Sequence, residues 1–66
     1  RTIREKLLTY LSIQSQNQQS RYLEIPLGRV ELAEYLCVDR SALTRELVKM
    51  KEEGLIDYDK NMFRIL

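Results

Sequence analysis

Two stretches of helical apolar spacing stand three residues apart in this 66-residue chain, and that gap constrains the fold more than any other feature. Val30, Leu32, Ala33 and Leu36 give one apolar face to a short helix expected over about Arg29 to Leu36. Leu43, Leu47 and Met50 do the same for a longer helix from Arg40 to about Glu53. Between them lie Cys37, Val38 and Asp39, the last a good N-cap for the second helix, while Gly54 suits the left-handed position beyond its end. Gly28 stands where the first helix needs its N-cap, and Glu31 can reach back to the Gly28 N–H as half of a capping box. So short a connection locks the helices at a steep angle. Leu32, Leu36, Val38 and Leu43 supply the contacts, and the small Ala33 permits close approach.

The flanking segments fit around this pair. Ile3, Leu7, Leu8 and Leu11 predict an amphipathic helix from about Thr2 to Ser15, with Tyr10 flanking and Arg4, Glu5 and Lys6 on its other side. Gln14 to Ser20 is uncharged and polar with no apolar anchor, which reads as a frayed helix end and a mobile loop. Tyr22 to Ile25 is a β-prone run closed by Pro26, whose missing N–H suits an edge strand that must pair elsewhere. Leu55 to Tyr58 and Met62 to Leu66 form a hairpin around Asp59, Lys60 and Asn61.

At 7.9 kDa there is room for one core, so residues 1–66 read as a single domain. With 44% hydrophobic residues against 32% charged, it should be globular. One cysteine and no histidine exclude an internal disulfide and a Cys/His zinc cage, so no cofactor is expected in this domain. No apolar run nears the roughly 20 residues of a membrane span, and nothing near Arg1 has a signal-peptide pattern; the expected setting is the cytoplasm, with no membrane partner. A start at Arg1, running directly into a helical pattern, suggests a piece of a longer polypeptide.

Helix, strand, short helix, tight turn, longer helix and hairpin is the order of a winged helix-turn-helix, mainly α with a small β wing: a three-helix core plus a β-hairpin. The simpler alternative is a helical hairpin packed on a strand. Net charge is only +1, with four basic against two acidic residues up to Leu27, five against four from Gly28 to Lys51, and two against four from Glu52, so a basic surface must be local. At about 100° per residue, Leu43, Leu47 and Met50 define one side of the longer helix, and Ser41, Ala42, Arg45 and Lys49 fall on the other. Arg40 points by angle toward the buried side, but from the first turn its side chain can extend past the helix end. Residues 40–51 hold four cations and one acid, Glu46. Small side chains let a helix enter a groove, and an arginine can donate two hydrogen bonds to guanine.

The segment LGRVELAEYLCVDRSALTRELVKMKEEGLI, Leu27 to Ile56, resembles the DNA-binding domain of Crp/Fnr transcription regulators, the cyclic-AMP receptor protein and its relatives. Its most specific piece is D-R-S-x-x-x-R-x-L from Asp39 to Leu47, followed by Gly54, Leu55 and Ile56; more weakly, the likeness extends over the whole chain. The resemblance implies that Arg40, Ser41, Thr44 and Arg45 face base edges or adjacent phosphates, and that Arg29 anchors the shorter helix to the backbone. With Lys49 on the exposed stripe, these are the expected DNA-binding residues. It further implies a bacterial regulator that binds double-stranded DNA as a homodimer on a two-fold symmetric operator, allows contact with RNA polymerase, and carries its effector-binding domain outside this segment, the effector being unspecified. Three departures stand out: Ser41 replaces the glutamate with which some relatives read a G·C pair, Cys37 occupies a turn position usually given to glycine, and Gly28 replaces the common Ser/Thr cap. The glycine parallel predicts a positive φ at Cys37.

Catalysis needs a nucleophile with a base, or convergent carboxylates; here there is no histidine and Glu52, Glu53, Asp57 and Asp59 lie near the exposed wing, so an enzyme is not expected. Cys37 beside Leu36 and Val38 reads as a turn filler rather than a redox sensor. The competing function is a winged helix that binds protein, which the near-neutral charge and a wing with only Lys60 and Arg64 as cations keep open.

Overall fold

The computed structural model describes residues 2–66; Arg1, and with it the reading of the chain's start, lies outside the described residues. Helix α1 runs Ile3–Gln18, β1 Tyr22–Glu24, α2 Arg29–Leu36, α3 Arg40–Glu52, β2 Ile56–Asp59 and β3 Met62–Ile65. Thr2 opens α1 with a complete capping box: its hydroxyl accepts from the Glu5 N–H at 3.1 Å and the Glu5 carboxylate accepts from the Thr2 N–H at 2.9 Å. The Asp39 carboxylate accepts from the Ala42 N–H at 3.0 Å and opens α3.

Helix ends follow one pattern. After α2 the Cys37 N–H bonds to the Glu34 carbonyl and the Val38 N–H to the Ala33 carbonyl, with Cys37 at φ 59. The same pair of bonds closes α1 around Gln19, at φ 52, and α3 around Gly54, at φ 77. This is the Schellman arrangement, in which a left-handed residue turns the chain while the last carbonyls stay bonded. Only α3 uses glycine for it. The positive φ expected at Cys37 is present, and its side chain is exposed.

The three strands form an antiparallel sheet in the order β1-β3-β2, so the last strand is central. Leu23 pairs with Phe63 and Phe63 with Tyr58 across it. Leu7 and Leu11 from α1, Leu32, Ala33 and Leu36 from α2, Leu43, Leu47 and Met50 from α3, and Leu23, Ile25, Ile56 and Phe63 from the sheet side close a single buried cluster. This is a winged helix-turn-helix, mainly helical with a β wing.

Three local expectations need correction. The polar tract does not fray early: α1 continues to Gln18, because the Gln18 amide both donates to the Glu24 carbonyl, at 3.1 Å, and accepts from the Glu24 N–H, at 3.2 Å, serving as a strand partner for the outer edge of β1. Val30 is exposed rather than part of the apolar face of α2, whose eight residues bury only Leu32, Ala33 and Leu36. At Gly28 the Glu31 carboxylate does reach back, so that a β-carbon there would stand 2.6 Å from Oε1, yet no hydrogen bond from the Gly28 N–H completes a capping box.

Replacing Cys37 with glycine removes an exposed thiol and relieves a left-handed residue of its β-carbon, against the greater chain entropy of glycine. The expected result in urea denaturation is between no change and a gain of about 1 kcal/mol. Gly28→Ser should also stabilise, by a few tenths to about 1 kcal/mol, since the cap has φ −71 and the flexible Glu31 carboxylate can swing aside. A lower midpoint for Gly28→Ser would show that Glu31 is held where it is.

Candidate nucleic-acid interface

Leu43, Leu47 and Met50 bury one side of α3 completely, and this fixes which side chains face outward. Arg40, Ser41, Thr44, Arg45 and Lys49 are all exposed, so five of the six expected site residues share one helix. Arg40, placed by angle toward the core, is exposed because it occupies the first helical position. The Thr44 hydroxyl donates to the Arg40 carbonyl at 3.0 Å, which leaves its oxygen outward as an acceptor.

Two acids, Glu46 within this helix and Glu53 at its C-cap, are held by α1, while Glu52 is exposed and in no ion pair among the described residues. Arg4 Nε donates to Glu46 at 2.7 Å, and the two terminal guanidinium nitrogens donate to both oxygens of Glu53 at 2.9 and 2.8 Å. The Glu53 pair and then the Glu46 bond raise the Arg4 pKa. Glu53 is pushed below the usual carboxylate range, mainly by the Arg4 hydrogen bond with a smaller contribution from the charge of Lys49. Lys51 pairs with Asp57 of β2 at 3.3 Å. Among the described residues, the side chains of Arg40, Arg45 and Lys49 form no ion pair. The outward face of α3 is therefore cationic although the chain as a whole is almost neutral.

Arg29 is brought elsewhere. Its guanidinium lies over the rings of Phe63 and Tyr58, 4.9 and 5.3 Å from their centroids, and donates to the Lys60 carbonyl at 3.0 Å. Burial lowers its pKa. The sequence reading missed both this contact and the Arg4 brace. Partners 31, 42 and 49 residues away carry no local signal.

A family model for the Crp-like helix-turn-helix domain matches residues 5–66, nearly the whole chain. The chain belongs to the Crp-like helix-turn-helix family. As a Crp-like domain it is a DNA-binding module of the kind used in transcription regulation, and its partner is DNA. Domains of this family are typically not enzymes. No curated protein matches the sequence. Among the described residues of this Crp-like domain no group of three or more His, Cys, Asp and Glu side chains converges as a metal site, and no helix is long and apolar enough to cross a membrane.

The Arg4 brace predicts an acid response. A carboxylate with a depressed folded pKa stabilises the fold above its unfolded value, about 4.3 for Glu and 3.9 for Asp, and that contribution disappears as pH falls through the lower folded value. Asp57 behaves like Glu53, lowered first by the Tyr58 N–H and then by Lys51. Stability from these two groups should hold down to about pH 5 and decline below pH 4. Arg4→Gln should return the Glu53 titration to the ordinary range and leave that of Asp57 in place, as read by side-chain carbonyl NMR.

Proposed function

We propose that the chain is the output domain of a bacterial Crp/Fnr-type regulator and that α3 enters the major groove of a two-fold symmetric operator. The single observation that carries this is the exposed cationic stripe of α3, Arg40, Arg45 and Lys49, whose side chains are in no ion pair among the described residues while Arg4 engages Glu46 and Glu53. Arg40, Ser41, Thr44 and Arg45 meet base edges or the phosphates beside them, and Lys49 meets phosphate. Arg29, the first residue of α2, serves the same surface through the wing tip that it contacts. An effector-binding domain and a dimerising element outside this segment, together with contact to RNA polymerase, complete the regulator in this reading; its setting is the cytoplasm. The protein-binding alternative rests on the net charge of +1.

Arg45→Ala should cost about 1–3 kcal/mol of specific binding and relax preference at one base pair per half-site, whereas Lys49→Ala should weaken all sequences about equally. Unchanged operator preference for Arg45→Ala in a competition assay would refute the groove assignment.

Arg29, Arg40, Arg45, Lys49 and Lys60 are the cations the domain offers to DNA, and neutralising about four phosphates gives a log–log salt slope near −3.6 and about micromolar nonspecific affinity for a monomer. Fusion to a dimerising helix should raise affinity roughly 10²- to 10⁴-fold on duplexes whose half-sites lie about one helical turn apart. Fluorescence anisotropy on duplexes with one and one-and-a-half turns between half-sites tests this. Equal affinity for both spacings counts against two-fold docking, and no duplex binding at low salt by the monomer or the dimer favours the protein-binding alternative.

A further inference from the structure

The wing tip is not a free hairpin end. Lys60 and Asn61 form the two-residue loop between Asp59 and Met62, and Lys60 is held at φ 55, a conformation that glycine adopts more readily. Two contacts fasten this loop to the body of the domain. The Ile25 N–H donates to the Asn61 carbonyl at 2.8 Å, joining the loop to the segment that follows β1. Arg29, the first residue of α2, donates to the Lys60 carbonyl. The same guanidinium lies over Phe63 and Tyr58, each one residue outside the hairpin loop's flanking pair, so it is held by two rings as well as by the hydrogen bond. The Lys60 carbonyl is thus engaged while its ammonium is exposed and in no ion pair among the described residues.

We propose that Arg29 is a positioning residue for DNA binding: clamped between the aromatic rings of the wing and the Lys60 carbonyl, it fixes the wing tip so that the Lys60 ammonium, and not the Arg29 guanidinium, neutralises a DNA phosphate. This rests on the DNA-binding reading above and deepens it. A planar guanidinium suits the task, since it stacks flat on rings while its edge donates, and a lysine ammonium does only part of this. Free wing motion would have to be arrested on binding, at a cost in entropy that the clamp removes beforehand.

The test is a double-mutant cycle of Arg29→Met and Lys60→Ala, with Arg29→Lys alongside, measured as the salt dependence of duplex binding. Lys60→Ala keeps the carbonyl that Arg29 bonds and the left-handed backbone, and removes only the cation. It should reduce the slope by about 0.9, the value of one phosphate contact. Arg29→Met should also reduce it measurably, by up to the same amount, Arg29→Lys should behave like Arg29→Met, and the double variant should lose no more than Lys60→Ala alone. Additive losses, near 1.8 in the double variant, or wild-type binding by Arg29→Lys, would overturn the proposal by showing that the Arg29 charge itself meets phosphate. Hydrogen exchange of the Ile25 amide, with thermal melting as the check on global folding, reads the clamp without DNA. It should accelerate in both Arg29 variants and not in Lys60→Ala, and unchanged exchange in the Arg29 variants would overturn the clamp. Failure of the wild-type protein to bind any duplex would sink the DNA reading and the role given to Lys60 with it, while Ile25 exchange would still decide whether Arg29 holds the wing.

Discussion

One left-handed residue, Cys37, lets α2 end and α3 begin with only Cys37, Val38 and Asp39 between them, and the remaining architecture depends on that short junction. Two bonds from the Cys37 and Val38 amides satisfy the last carbonyls of α2 while the chain reverses. Lys6 from α1 donates to the Leu36 carbonyl at 3.2 Å, placing a positive charge at the negative end of the same helix. Val38 packs partly into the core and Asp39 at once caps α3. A longer connection would leave the angle between the helices to side-chain packing alone. Here the backbone sets it, and Leu32, Leu36, Leu43 and Leu47 fill the resulting interface with no buried polar side chain left without a partner among the described residues.

Charge is then distributed by packing rather than by composition. A chain with 11 basic and 10 acidic residues has no net field to attract a polyanion. Docking α1 against α3 lets one guanidinium engage two carboxylates, one of which, Glu46, retains only 19% of its side-chain exposure. The acid that interrupts the cations of α3 is so directed sideways into the body of the domain. Arg40, Arg45 and Lys49 remain as a stripe without acids in ion-pair contact.

The sheet performs a matching service for the wing. Because β3 lies between β1 and β2, the hairpin is braced on its outer side by a strand that precedes the helix-turn-helix in sequence, and Gln18 from the end of α1 covers the far edge of that strand. Unpaired edges are liable to pair with other chains, and side-chain amides that bond both the N–H and the carbonyl of one residue blunt them. Arg29 completes the fastening from the start of α2.

The sequence alone determined what depends on neighbours a few residues away. Apolar spacing defined α2 at Arg29–Leu36 and the buried face of α3, Asp39 and Gly54 marked the two ends of α3, and the Asp39 to Leu47 motif carried the family resemblance, because periodicity and capping act within a turn or two of helix. Those same signals put Ser41, Arg45 and Lys49 on the outward side. Where the tract from Gln14 to Gln18 stops being helical, by contrast, depended on a β-edge six residues beyond Gln18, and whether Val30 is buried depended on how little of α2 the core can cover. The roles of Arg4 and Arg29 were decided only by tertiary structure. Each is an exposed-looking cation on a helix by local pattern, and the partners that define it, Glu46 and Glu53 for one and Phe63, Tyr58 and the Lys60 carbonyl for the other, come within reach only when distant elements dock.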